Sequence, residues 1–225
     1  MKRLLFHGSE KIIQKPYHGG GKSYNDYGRG FYCTESIDAA REWSVDKDRD
    51  GFVSKYEIDE TELTILNLNS SEFTILHWLQ ILLENRLFDA YSLLAREAKE
   101  YLAAEFRINY QAYDVMIGYR ADDSYFSFAQ DFLNGAITLK QLQQAMHLGK
   151  LGEQYVLKRE NAFAHLTFLG YEPVQNEEWY IRKRTRDRNA RKEYFDMEKN
   201  RRQKGDWFIT DIIDMEIKSD DERLR

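Results

Sequence analysis

One cysteine, Cys33, and two prolines are all that 225 residues contain of either type. A lone thiol can form no internal disulfide and leaves no cysteine cluster for a structural zinc site, so nothing staples the fold covalently. Scarce proline leaves few rigid linkers at which to divide the chain, and 42% apolar residues, 14% of the total aromatic, argue against disorder. At this length folding buries about 70% of the surface that an unfolded chain exposes, enough for a core of its own. One domain with an appendage is expected: residues 1–180 as the domain, and 181–225 as a basic helical C-terminal extension packed on it or projecting from it.

Long apolar runs are also missing. No stretch of ~18 consecutive apolar residues occurs, which gives no reason to expect a membrane span or a membrane partner. The start, MKRLLFHGSE, turns polar too soon for the apolar region of a secretion signal. The expected location is the cytoplasm where the chain is made; export as an effector by a specialised machine leaves no mark of this kind.

Charge is present but unevenly placed. The formal net charge is −5, yet residues 182–204 hold eleven Lys or Arg against four Asp or Glu, about +7 locally, leaving about −12 elsewhere. Residues 182–204 read as a polar helix with Ala190, Tyr194 and Met197 on a narrow stripe, followed by an apolar patch of Trp207, Phe208, Ile209, Ile212 and Ile213. Either the stripe packs on the body and the arginines are solvated or paired, or the helix docks a nucleic acid or a small acidic protein.

Periodicity supplies the elements. Leu4–Phe6 predicts a strand ending at His7-Gly8-Ser9. Residues 16–30, with Gly19, Gly20, Gly21, Gly28 and Gly30, predict a long loop passing close to something. Thr34 or Ser36 can cap a short helix carrying Ile37, Ala40, Trp43 and Ser44. Strands are expected at Phe52–Ile58, Leu63–Leu68, Asp114–Tyr119 and Tyr155–Lys158. Helices are expected within Phe73–Ala104, broken near Phe88, and over Phe126–Phe132 and Leu139–His147. Short strands around inserted helices imply an α+β fold rather than a regular strand–helix alternation.

Three motifs matter together: His7-Gly8-Ser9 at a strand end, Asp26-Tyr27-Gly28-Arg29-Gly30-Phe31-Tyr32-Cys33-Thr34, and Glu153-Gln154-Tyr155-Val156. Each alone is weak, and each has a bland reading as a strand end, a turn or core aromatics. In this order they resemble the pocket motifs of the ADP-ribosyltransferase superfamily, of the diphtheria-toxin-like and PARP-like type. More narrowly, LFHGS, DYGRGFYCT, YDVMIG and EQYVLK look like a bacterial uncharacterised family placed in that superfamily; the likeness spans roughly residues 3–170.

The resemblance implies a split β-sandwich of two small sheets with a helical insertion over Phe73–Ala104, and NAD⁺ as substrate in the cleft between the sheets. His7 is then expected on the adenosine-side ribose, the Gly8 main chain on the nicotinamide carboxamide, and Tyr32 stacked on the ring, with Ser9, Gly30 and Phe31 alongside. Trp43 takes the opposite ring face. A cationic ring between two aromatic faces gains about 0.5–2 kcal/mol per face, and that attraction falls once nicotinamide leaves neutral.

Where the transferases usually place glutamate, this chain has Gln154. Its amide still accepts a hydroxyl hydrogen bond but offers a dipole in place of a charge. Glu153 precedes it, and neighbours on a strand face opposite ways, so Gln154 is expected inward unless the strand end is distorted and Glu153 acts instead. The implied activity is transfer of ADP-ribose from NAD⁺ to a macromolecular acceptor, protein or nucleic acid, in a bacterial toxin or effector with a small antitoxin-like partner. One alternative is a catalytically weak or inactive NAD- or nucleotide-binding interaction module.

A second alternative, a calcium-responsive interaction protein, rests on Asp46-Lys47-Asp48-Arg49-Asp50-Gly51 with Glu57, which match an EF-hand loop position for position. An EF-hand needs an exiting helix, whereas Val53–Ile58 alternates like a strand. A solvated acidic turn at the pocket rim is the preferred reading.

Overall fold

The computed structural model describes residues 1–88, 92–121, 123–150, 152–199 and 205–224. Strand β1 (Lys2–Ser9) alternates as its sequence requires, Leu5 facing one side and Phe6 the other. It pairs antiparallel with β3 (Gly51–Asp59), which pairs antiparallel with β7 (Leu166–Val174). The second sheet runs β2 (Phe31–Cys33), β6 (Glu153–Leu157), β5 (Val115–Tyr119) and β4 (Ile65–Asn67), antiparallel except for the parallel β4–β5 pair. The fold is α+β with two small sheets, as the short scattered strands imply.

Between the sheets lies one apolar cluster, with Leu5, Tyr56 and Ile58 against Phe31, Val115, Ile117, Tyr155 and Leu157. The first sheet's outer face takes α1 (Ile37–Ser44), which buries Ala40 against Phe6 and Val53. Ser36 is the residue that caps it, its Oγ accepting from Ala39 N at 3.2 Å. The second sheet's far face carries the larger cluster, where Met116 and Val156 meet α2 (Ile75–Asn85), α3 (Leu93–Glu105), α4 (Asp123–Leu133) and α5 (Leu139–Ala145). The expected break near Phe88 falls between α2 and α3; residues 89–91 lie outside the described residues.

Neither α6 (Glu160–Ala164) nor β7 is marked by the periodicity of the sequence. β7 is an edge strand, which is why Pro173 is tolerated there and why Gly170 and Pro173 blur its pattern. The basic helix α7 (Asn176–Glu198) begins six residues earlier than its charge run, and residues 200–204 are outside the described set. Its expected stripe, Ala190, Tyr194 and Met197, is buried, the last two in the larger cluster, with Tyr194 stacked on Phe128 at 3.8 Å and donating to Asp131 Oδ2 at 2.6 Å. α8 (Ile209–Asp214) adds Ile209 and Ile212 to the same cluster. Among the described residues no helix is long and apolar enough to cross a membrane.

Candidate functional site

The two sheets are joined by main-chain hydrogen bonds at a seam between β1 and the end of β2. Phe6 and Thr34 exchange main-chain hydrogen bonds of 2.8 and 2.9 Å. Continued antiparallel pairing would set Gly8 opposite Tyr32, but the His7 imidazole intervenes: its Nδ1 lies 2.6 Å from Tyr32 O, the carbonyl that Gly8 N–H would otherwise reach. The strands part there and a cleft of about 750 Å³ opens, within the usual size of a small-molecule site. By strand alternation the Gly8 N–H and C=O point the same way as those of Phe6, toward the opening.

Since a carbonyl only accepts, Nδ1 is the donor, which leaves Nε2 of a neutral His7 as an acceptor. Burial lowers the His7 pKa, opposed by its bond to Tyr32, so the neutral ring is favoured near pH 7. Phe31, at 4.4 Å between centroids, holds the ring from behind and is itself wedged edge-on against Tyr56. Ser9 reaches the cleft but its hydroxyl donates to Lys11 O at 2.6 Å.

Gly8 is required for a reason beyond ligand approach: a β-carbon there would sit 1.9 Å from Ala40 O on α1. The same close approach brings α1 over the cleft and delivers Trp43 to it. Gly28 turns the loop with φ of 70°, and its carbonyl accepts the Tyr32 phenol at 2.6 Å while the phenol oxygen accepts Tyr27 N–H at 3.1 Å. Tyr32 is thus fixed at its hydroxyl end, its acidity suppressed mainly by burial.

The register of β2 on β6 places Tyr32 opposite Val156, and Gln154, two residues along, shares that face. Gln154 is 7% exposed and lines the cleft. Its Nε2 donates to Asp26 Oδ2 at 3.2 Å, and its Oε1 is buried without a hydrogen-bond partner among the described residues. The β5–β6 pairing is regular through Gly118–Gln154 and Tyr119–Glu153, so the strand end is not distorted. Glu153 lies on the opposite face, exposed, accepting from Asn69 Nδ2 at 2.6 Å, and does not line the cleft.

The structure therefore brings His7, Gly8, Ser9, Gly30, Phe31, Tyr32, Trp43 and Gln154 to one cleft and leaves Glu153 out. It adds residues that the sequence reading passed over. Asp26, 4% exposed, accepts from Arg86 at 3.2 Å and from Ala121 N–H at 2.9 Å. Burial pushes its carboxyl up to about 6 despite Ala121 N–H, Arg86, Arg120 and Gln154, all of which favour the charge. Arg120 lies over the Trp43 ring at 4.4 Å, and Lys15 and Lys22 complete a cationic lining suited to phosphate groups. Lys158, buried beside the loop, donates to Tyr27 O, and burial lowers it to about 8. Asp26 stood inside the DYGRGFYCT motif, but burial of a carboxylate has no local signature; Arg86 and Arg120 meet it only through the fold.

The acidic turn makes a tight loop, with Asp46 and Arg49 exchanging main-chain hydrogen bonds of 3.1 and 3.2 Å. Asp50 Oδ1 accepts from Asn176 N–H at 2.8 Å, and β3 starts at Gly51, so Glu57 is carried along a strand, where it pairs with Lys2 at 2.6 Å. Among the described residues no three His, Cys, Asp or Glu gather as a metal would need. Asp46, Asp48, Asp50 and Glu57 thus do not form an EF-hand, because a strand stands where its exiting helix would be.

A family model described as protein of unknown function (DUF3990) matches residues 3–168, which includes every residue of the cleft named above. No curated protein and no solved structure matches the chain.

Proposed function

The chain belongs to the DUF3990 family, and we propose that it is an ADP-ribosyltransferase of the split-sandwich type that binds NAD⁺ in the cleft between its two sheets. The observation that carries this reading is the convergence of His7 and Gly8 from β1, Tyr32 from β2, Trp43 from α1 and Gln154 from β6 on one cleft. Each offers what a part of NAD⁺ needs. The His7 Nε2 acceptor suits a ribose hydroxyl; the outward N–H and C=O of Gly8 suit a carboxamide, which has one acceptor and two donors. Tyr32 and Trp43 supply aromatic faces for the pyridinium, and Arg86, Arg120, Lys15 and Lys22 supply charge for the pyrophosphate. Arg120 now lies over Trp43, where one cation stacks on the ring; a pyridinium taking that place would displace it toward the phosphates.

In the reaction the bond between the ribose C1′ and the pyridinium nitrogen breaks and its electron pair neutralises the ring. A lone pair on the acceptor then forms the new bond to C1′, and the acceptor's proton is released. Positive charge develops on the ribose, much as in glycoside cleavage, and on this reading Gln154 Oε1 is the oxygen that meets it. The acceptor is read as a macromolecule, and the role as that of a bacterial toxin or effector held by a small antitoxin-like protein.

A second reading, an NAD-binding module without catalysis, is favoured by one feature: a carboxamide at position 154 carries no charge of its own. Incubation with NAD⁺ labelled on the adenylate and a bacterial lysate separates the two. Transfer predicts label on protein or nucleic acid, lost in His7→Ala and Tyr32→Ala; binding with no label transferred by the wild type selects the module.

A further inference from the structure

We propose that Asp26 is a positioning residue that acts through Gln154, anchoring the carboxamide by its nitrogen and lending it negative charge, so that carboxylate and carboxamide together present one electron-rich oxygen to a ligand hydroxyl. This role rests on NAD⁺ occupying the cleft as read above.

The geometry is specific. An ionised carboxylate only accepts hydrogen bonds, so with Gln154 at 3.2 Å from Asp26 Oδ2 the amide must turn its NH₂ toward Asp26 and its Oε1 away from it. That oxygen is buried, lacks a partner among the described residues, and belongs to a side chain lining the cleft. An orphaned buried acceptor in a native fold asks for a donor, and the donor that the proposed substrate offers there is a ribose hydroxyl.

Asp26 cannot easily move. Its Oδ1 accepts from Arg86 at the end of α2, and its Oδ2 from the Ala121 N–H after β5 as well as from Gln154 on β6. A carboxylate on the N–H side of an amide polarises it and strengthens its oxygen as an acceptor, an effect enlarged by low local dielectric. A negative charge one amide removed from the reacting ribose thus replaces a charge on the strand itself. The charge-bearing groups that bear on Asp26 are Arg86, Arg120 and, as neighbouring phenols, Tyr27 and Tyr32. Burial brings its own titration to about 6, so the relay switches off as the solution becomes mildly acidic.

Gln154→Glu sets two carboxylates against each other, one of which must hold a proton.

The test is nicotinamide release from NAD⁺ by the full chain between pH 5 and 8, with NAD⁺ binding followed separately by calorimetry. The wild type should show kcat rising through about pH 6. Asp26→Asn should lose about 10–100-fold in kcat, change KM by less than about 3-fold, and lack that limb; His7, also in the cleft, is intact in this variant and so cannot be the source of a limb that disappears. Unchanged kcat in Asp26→Asn overturns the relay and leaves the NAD⁺ reading standing. Should Asp26→Asn fail to fold, a flat wild-type profile between pH 5 and 7 overturns the relay by itself. Absence of NAD⁺ binding by the wild type overturns both.

Discussion

A buried carboxylate is a cost that the fold alone does not explain. Asp26 is 4% exposed and its pKa is raised from 3.8 to about 6. Between those values the native state holds a proton that the unfolded chain has released, so stability falls as pH rises; the penalty is absent below 3.8 and complete above 6. The wild type should therefore lose up to about 1.4 kcal/mol per pH unit relative to Asp26→Asn across that window. Urea midpoints at pH 4, 5, 6 and 7 check this, and parallel profiles for the two proteins would contradict it. Gly8 offers an independent test of local packing. Its β-carbon would lie 1.9 Å from Ala40 O, and a backbone carbonyl in a capped helix yields little. Gly8→Ala should cost about 1–3 kcal/mol by overpacking, seen as a lowered midpoint with an unchanged slope; a midpoint within error of wild type would mean that α1 is free to slide.

At the scale of elements, α1 is only eight residues long, yet it delivers Trp43. Such a helix depends on its cap and on its packing face rather than on propensity. Ser36→Ala should destabilise by about 0.5–2 kcal/mol and also weaken NAD⁺ binding, whereas a loss of stability with full affinity would show that Trp43 is placed by its contacts and not by the helix. Much of this level was legible beforehand. Alternation gave β3, short apolar runs gave β1 and β5, and helical spacing gave α1 and the pair α2 and α3; β5 reads as a run because it is buried on both faces. β7 escaped notice because an edge strand half in solvent needs no continuous apolar side, and its Gly170 and Pro173 read as breakers. The His7, Tyr32 and Gln154 positions were legible as motifs. Their dependence on Asp26, Arg86 and Arg120 was not, since those contacts span 60 and 128 residues and are created by the fold.

The whole molecule is organised around its second sheet, with the first sheet on one side and a large helical cluster on the other. The basic helix belongs to that cluster. Tyr194 is 4% exposed, stacked on Phe128 and bonded to Asp131, and Arg186 on the same helix meets Glu42 of α1 at 2.7 Å. Part of the segment's positive charge is thereby matched by the acidic body. Tyr194→Ala should cost about 3–5 kcal/mol, as for a large buried aromatic, and lower the single melting transition of the entire chain. A separate low-temperature transition, with the main one unmoved, would show that the segment after residue 180 unfolds independently.

Whether the cleft at the β1–β2 seam holds nicotinamide is decided by a crystal structure with a non-hydrolysable NAD⁺ analogue. The pyridinium should lie between Tyr32 and Trp43, with its carboxamide on the Gly8 main chain, a ribose hydroxyl on Gln154 Oε1, and Arg120 moved off the indole. An analogue bound on another surface, or an empty cleft at saturating concentration, would contradict this placement.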